Sequence, residues 1–155
     1  MAYNLKPTDK KILNLLQKED LCVPRITKIA HKLNLPTSTV QAKINKLQKL
    51  GLIKGFSAIL DPEKLDKSFT AFMFGQAKLG EHFDLERVAK KLAKFPQVQE
   101  IFFISGDYDY LIKVRVKDQK EYYELIQKMG PIFEARAKGM VAPKCFKDTQ
   151  KLEIN

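Results

Sequence analysis

Residues 36–51 read PTSTVQAKINKLQKLG, and their apolar residues recur at the spacing of a helix. Ile44 and Leu47 fall within about 40° of Val40 at 3.6 residues per turn, so the three side chains share one side. Gly51 stands where a helix commonly ends in a left-handed conformation that favours glycine. The stretch is therefore predicted to be an amphipathic helix that packs through this apolar side and stops at Gly51.

The opposite side of this predicted helix carries short polar groups and lysines and no acidic residue. Ser38 and Gln41 fit the S-x-x-Q capping box, which gives the polar start of the helix a local explanation. A charged outer face is also what any surface helix shows, so a plain solvated helix is the alternative at this point. The residues on this outer side are Ser38, Ala42, Asn45, Lys46 and Lys49, with Gln41 at one flank.

The elements around this helix predict a DNA-binding arrangement. Two shorter amphipathic helices precede it, one over residues 9–18 and one that ends near Leu33, with Asn34 at a junction that needs a left-handed backbone. After the glycine, alternation over residues 55–60 predicts a strand. Two helices joined by a tight turn and followed by a strand are typical of a winged helix-turn-helix, whose second helix enters the major groove.

In that arrangement the polar side of the second helix faces DNA. Its short polar side chains can exchange hydrogen bonds with base edges, and Ser38, Gln41, Ala42 and Asn45 are predicted to discriminate between bases. Basic groups nearby, including Lys32, are predicted to contact phosphates. The full set of predicted DNA-binding residues is Arg25, Lys28, Thr37, Ser38, Thr39, Gln41, Ala42, Asn45, Lys46, Lys49 and Lys54.

Charge and composition agree with a polyanionic partner. The net charge is +10, and the chain through Lys54 carries eleven basic and three acidic residues, which leaves only +2 for the remainder. This asymmetry favours nucleic acid, although a lysine-rich solvated surface is the plainer explanation of charge alone. No apolar run marks a signal peptide or a membrane span, so we expect a cytoplasmic protein without a membrane partner. Two distant cysteines, Cys22 and Cys145, favour neither a disulfide framework nor a zinc site.

The second half predicts an α+β domain. Its patterns give, in chain order, a strand, a helix, a hairpin of two strands, a helix and a strand, which is the ferredoxin-like βαββαβ order. Two helices on one face of an antiparallel sheet leave the other face bare, and this predicts dimerisation through the bare face. The predicted elements are a strand at 69–80, a helix capped by Asp84, strands at 98–105 and 110–117, a helix opened by a capping box of Asp118 and Glu121, and a strand within 134–147.

Two segments resemble a known protein family. They are ITKIAHKLNLPTSTVQAKINKLQKLGLIKGFSAILDPEKL at 26–65 and ISGDYDYLIKVRV at 104–116. Within the first, the run K-L-x-K-L-G-L-I-K-G-F-x-A-x-L-D-P is particularly specific. These segments resemble the archaeal-type members of the Lrp/AsnC family, the feast/famine regulators, and the resemblance extends over almost the whole chain.

The resemblance implies both a domain organisation and a function. It implies a winged helix-turn-helix at 1–54, a strand linker at 55–68, and a βαββαβ domain of the RAM or ACT-like type at 69–155 that dimerises and binds an effector. Members of the family bind double-stranded DNA, regulate transcription and assemble from homodimers into tetramers, octamers or larger discs. Their activity is often modulated by amino acids, and no other cofactor is implied.

A candidate effector site lies in the turn GDYD, whose residues are Gly106, Asp107, Tyr108 and Asp109. The two carboxylates could pair with an α-ammonium group while backbone N–H groups hold a carboxylate, although Gly and Asp are also ordinary hairpin residues. The family resemblance favours the effector role. The family's last strand often carries a T-x-T element that contacts the effector, and Ala137 and Gly139 occupy those positions here.

Other functions have less support in the sequence. There is no Ser/His/Asp set, no phosphate-binding glycine loop and no metal-ligand cluster, so an enzyme is not expected. The missing hydroxyls favour an alternative regulator, an architectural protein that wraps DNA and responds to no small molecule. An amino-acid sensor that acts on a protein partner is a further alternative, and the basic first third argues against it.

Overall fold

The structure is a computed structural model, and it describes residues 24–76, 85–133 and 136–149. The predicted helix at 9–18, the Asp84 cap and Cys22 lie outside these residues. The chain divides into two compact units between Asp61 and Pro62, and each is described by itself.

In the described part of the first unit, residues 24–61, two helices are joined by a tight turn, α1 at Ile26–Leu33 and α2 at Thr37–Lys49. Asn34 ends α1 with a left-handed backbone at φ 52°, as predicted, and the Leu35 N–H donates to the Ala30 carbonyl at 3.0 Å. This short connection leaves two residues, Leu35 and Pro36, between Asn34 and the next helix. The helix-turn-helix geometry is therefore set by one asparagine that tolerates the left-handed region.

A glycine ends α2 in the way that the sequence predicts. Gly51 has φ 70°, and its N–H donates to the Gln48 carbonyl at 2.9 Å. The Leu52 N–H reaches the Leu47 carbonyl at 3.0 Å. These two bonds form a Schellman motif, which satisfies carbonyls that the end of a helix leaves without partners.

The start of α2 corrects the predicted capping box. Pro36 holds the N-cap position with φ −59° and ψ 143°, and no side chain caps the helix. The helix begins at Thr37, so Ser38 already lies within the first turn and cannot act as the N-cap. Gln41 instead donates from Nε2 to Asn45 Oδ1 at 2.8 Å. The prediction was wrong because the fixed φ of proline places the boundary ahead of the serine.

The strand predicted at 55–60 is also wrong. These residues are described, but they form no ladder with another described segment. Their exposure still alternates, with Ile59 97% exposed and Phe56, Ala58 and Leu60 half-buried. The alternation therefore reports an extended backbone, whereas a strand also needs a neighbour that supplies hydrogen bonds.

The second unit is a four-stranded antiparallel sheet in the order β2-β3-β1-β4. Its elements alternate as the βαββαβ prediction requires. They are β1 at Phe69–Gly75, α3 at Leu85–Leu92, β2 at Val98–Phe103, β3 at Tyr110–Val116, α4 at Gln119–Met129 and β4 at Ala137–Ala142, with a 3₁₀ turn at Gly130–Ile132 after α4.

Both helices pack on the same face of the sheet. In β3 the even-numbered residues from Tyr110 to Val116 are buried, and the intervening ones are half-exposed, which is the period of two expected of a sheet covered on one side. These buried side chains form a single cluster with Val88 and Leu92 of α3 and Leu125 and Met129 of α4. Burial of each large apolar side chain contributes about 1.5–3 kcal/mol, so this face supplies most of the cohesion of the unit.

Polar contacts fix the start of α4. Asp118 caps the helix by accepting from the Glu121 N–H at 2.9 Å, while the Glu121 carboxylate accepts from the Lys117 N–H, the Lys67 ammonium and the Gln97 amide. The predicted capping box is thus formed with one change: the Glu121 carboxylate accepts from the N–H of Lys117 and not from that of Asp118. These bonds, the Lys117 N–H first, lower the pKa of Glu121.

A close approach between α4 and β4 explains why residue 139 is glycine. A Cβ added at Gly139 would lie 2.1 Å from the Tyr122 hydroxyl, far inside contact distance. That hydroxyl is buried and bonds to no group in the described part of the chain, and burial raises its pKa. The ring of Tyr122 packs against Phe69 with centroids 5.5 Å apart, so it cannot easily move away.

We therefore expect Gly139→Ala to lower the free energy of unfolding by about 1–3 kcal/mol through overpacking. Tyr122→Phe alone should be close to neutral, because it removes a buried hydroxyl without a partner. In the double variant the cost of Gly139→Ala should fall by more than half, as measured by denaturant unfolding. Gly130→Ala is the control and should not destabilise, since a Cβ there meets nothing within 4 Å. Additive effects of the Gly139 and Tyr122 changes would contradict this packing.

Candidate nucleic-acid interface

The inner side of α2 is fixed by burial of one residue. Val40 is 3% exposed, Ile44 is half-buried, and Ala30 of α1 is 3% exposed. Leu47, the third residue of the predicted apolar side, is more accessible at 38%. Because Val40 is held inside, the residues about half a turn away from it must face outward.

The outward side of α2 carries the predicted base-reading residues at the surface. Ser38, Gln41, Ala42 and Asn45 are all exposed, as are Thr37, Lys46 and Lys49, while Thr39 at the flank is half-buried. The 2.8 Å hydrogen bond between Gln41 and Asn45 links two of the reading positions one turn apart. Sequence reasoning placed both amides on this side but missed their bond, because spacing alone does not fix side-chain direction.

The charged side chains of the described segment around α2 are cationic as far as residue 60. Residues 24–60 contain no Asp or Glu, and their seven cationic residues are Arg25, Lys28, Lys32, Lys43, Lys46, Lys49 and Lys54. All seven are exposed. A polyanion that approaches within a Debye length of about 8–10 Å meets attraction from each cation and no carboxylate of this segment.

The GDYD turn is held against the end of β1. The Gln76 amide donates to the Asp107 carbonyl at 2.6 Å, and the Asp109 N–H donates to the Gly75 carbonyl at 2.9 Å. The ring of Tyr108 lies 5.6 Å from that of Phe74. The role of Gln76 could not be predicted from the sequence, because it depends on a pairing between distant parts of the chain.

Within this turn each predicted residue has a distinct environment. Gly106 has φ 136°, a conformation that other residues rarely adopt. The Asp107 side chain is exposed, whereas Tyr108 and Asp109 are half-buried. The turn therefore holds one exposed carboxylate on a backbone that several hydrogen bonds fix.

The structure brings this turn to the same end of the sheet as the start of β4. Gly75 pairs with Tyr110 on one side and with Ala137 on the other. The Gln76 N–H also donates to the Arg136 carbonyl at 2.7 Å. The two segments that the resemblance connects with an effector therefore flank one strand end.

Two other kinds of site are not found among the described residues. No helix there is long and apolar enough to cross a membrane. In the same ranges no group of three or more His, Cys, Asp and Glu side chains could hold a metal, and Cys145 is an exposed free thiol.

Comparison with known protein families identifies both halves. Residues 5–54 match the winged helix-turn-helix DNA-binding family, and residues 70–142 match the Lrp/AsnC ligand binding domain. A helix-turn-helix unit with a cationic outer side, followed by a ligand-binding domain, defines the class of DNA-binding transcriptional regulators.

Individual relatives are similar to this chain over nearly its full length. The HTH-type transcriptional regulator FL11 of Pyrococcus horikoshii is 36% identical over 156 residues, with 99% of each chain covered. A crystal structure of an AsnC family transcriptional regulator from Agrobacterium tumefaciens superposes with a TM-score of 0.76 at 28% identity, covering 96% of this chain and 97% of that one. The regulator NMB0573 of Neisseria meningitidis, solved as a complex with L-Met, shares the fold with a TM-score of 0.78 at 23% identity over 98% of each chain.

This chain belongs to the Lrp/AsnC family of transcriptional regulators. It is a DNA-binding regulator and not an enzyme, and its fold is a winged helix-turn-helix followed by a ligand-binding α/β domain with a four-stranded antiparallel sheet. The family resemblance and the fold class predicted from the sequence are confirmed.

Proposed function

We propose that the protein is a cytoplasmic, sequence-specific regulator in which α2 enters the major groove of double-stranded DNA. The observation that carries the proposal is the outer side of α2, which is exposed and polar and belongs to a segment without carboxylates. Residues 1–54 then bind DNA, residues 55–68 connect the domains, and residues 69–155 dimerise and receive the effector.

The DNA-binding residues divide into two roles. Ser38, Gln41, Ala42 and Asn45 meet base edges, because short polar groups and a methyl group match the donors, acceptors and thymine methyls of the major groove. The remaining residues position the protein on phosphates, which carry no sequence information directly. They are Arg25, Lys28, Thr37, Thr39, Lys46, Lys49 and Lys54.

Dimerisation follows from the sheet face opposite the helices. Phe72, Phe74 and Leu111 are half-buried there, and Phe102 and Met140 are 49% and 47% exposed. A surface of this composition gains from contact with a second copy that presents the same face. Two copies present two recognition helices, and further assembly gives tetramers or octamers.

The two roles predict different responses to substitution. Asn45→Ala should lower affinity for the preferred operator severalfold and leave binding to random duplex unchanged, because it removes a base contact. Lys54→Ala should weaken both alike and reduce the slope of log K against log salt by about one. Fluorescence anisotropy over a salt series measures both quantities. Equal loss on operator and random DNA for Asn45→Ala would remove the base-reading role.

An amino-acid effector is the second part of the proposal. It is supported by the meeting of the GDYD turn and the start of β4 at one end of the sheet. NMB0573, which shares the fold, was solved with L-Met bound. The exposed Asp107 carboxylate suits an α-ammonium group, and Gly106, Tyr108 and Asp109 shape the turn around it. The absence of side-chain hydroxyls at Ala137 and Gly139 keeps the architectural, effector-independent regulator as the alternative.

Thermal shift with each of the twenty amino acids separates these two alternatives. A bound effector at 100 times its Kd should stabilise the fold by about 2.7 kcal/mol through mass action. The shift should be largely lost in Asp107→Asn and retained in Glu124→Gln, an exposed carboxylate of α4 that serves as the control. A melting temperature that no amino acid changes, L-Met included, would support the architectural alternative.

A further inference from the structure

The two amide side chains on the outer side of α2 form one hydrogen-bonded unit. Gln41 Nε2 donates to Asn45 Oδ1 at 2.8 Å, and the two residues are separated by one turn of the helix. Both are exposed, and the small side chain of Ala42 lies beside Gln41 on the same side. The pair is therefore available to a partner while its internal bond is already made.

In the structure this bond makes Asn45 Oδ1 the acceptor toward Gln41 and leaves Nδ2 as the outward donor. While Gln41 presents its NH₂ group to Asn45, a turned-over Asn45 amide would place its own NH₂ group against it, and two donors cannot bond to each other. Nδ2 of Asn45 has no hydrogen-bond partner among the described residues, and Oδ1 retains a second lone pair for another donor. An exposed residue of α2 therefore offers a donor beside an acceptor.

A donor beside an acceptor matches one base in the major groove. Adenine presents the N7 acceptor and the N6 amino donor side by side, and an asparagine amide can bond to both. Guanine presents two acceptors, while cytosine offers an amino donor and thymine an acceptor next to a methyl group. An Asn45 amide held in one orientation therefore fits adenine best.

We propose that Gln41, in addition to its place among the base-reading residues, holds the Asn45 amide in the orientation that reads adenine, so each operator half-site carries an A·T pair opposite Asn45. This inference rests on the proposed entry of α2 into the major groove. It adds to that proposal the base that Asn45 recognises, adenine, and the residue that orients the Asn45 amide, Gln41.

The base pair opposite Asn45 is located first. The operator is selected from random duplexes with the wild-type full chain, and binding is measured with each of the four base pairs at every position. The position at which Asn45→Ala loses discrimination is the one that Asn45 faces. The wild type should prefer A·T there by about 5- to 150-fold, the range for a good two-bond contact.

Three substitutions at residue 41 then test the orientation at that same position. Gln41→Met keeps the length and removes the hydrogen bond, so the preference for A·T should fall at least threefold. Gln41→Glu can only accept, which turns the Asn45 amide over, and the preference should be lost or reversed. The Gln41→Lys side chain can still donate to Asn45 Oδ1, so this variant should retain the preference for A·T. The ratio between bases is the readout, because these charge changes also alter overall affinity.

The outcomes separate this inference from the proposed function. If Asn45→Ala reduces binding equally on every duplex, the base-reading role of α2 fails and the inference fails with it. If Asn45 does discriminate but favours a pair other than A·T, or if Gln41→Met leaves the base ratio unchanged, only the inference is overturned. The inference is supported if the preference for A·T is lost in Gln41→Met and Gln41→Glu and retained in Gln41→Lys.

Discussion

The burial of Val40 is the constraint on which the DNA-binding half depends. A helix with a period of 3.6 residues has one orientation in which Val40 and Ile44 face inward, and that orientation turns Gln41, Ala42 and Asn45 outward. Asn34 and Gly51 set the two ends of this arrangement, since both adopt left-handed backbone conformations. The packing of Val40 on one side of the helix therefore determines which polar residues α2 exposes on the other side.

In the ligand-binding half, too, packing determines which residues a position can hold. The clearest case is the close approach of a side chain of α4 to the backbone of β4. Alternating burial in β3 commits one face of the sheet to the helices and leaves the residues of the other face half-buried. At Gly139 the Tyr122 hydroxyl comes so near to the backbone that no side chain fits. A hydroxyl-bearing side chain at residue 139, which the family resemblance leads one to expect, would therefore clash with Tyr122 of α4. This packing gives a physical reason for the departure from the T-x-T pattern.

Local features of the structure could be predicted from the sequence, and features that depend on distant partners could not. Asn34, Gly51 and the alternation in β3 follow from nearby residues alone, so their structure matches expectation. The prediction of a strand at 55–60 was wrong because a strand needs a second segment that supplies hydrogen bonds. The prediction of a capping box at Ser38 was wrong because Pro36 sets the start of the helix. The placement of Gln76 beneath the GDYD turn and of Tyr122 beneath Gly139 depends on chain pairing, for which one sequence carries no signal.

The most direct test of the central claim is selection of bound sequences from a pool of random duplexes with the full chain near 0.15 M salt. A dimer that places two copies of α2 in adjacent major grooves should enrich an inverted repeat whose half-sites lie about 10–10.5 base pairs apart, or a multiple of that spacing. Enrichment of such a repeat is the result that this account predicts. Retention of DNA with no sequence enriched over the starting pool would contradict it.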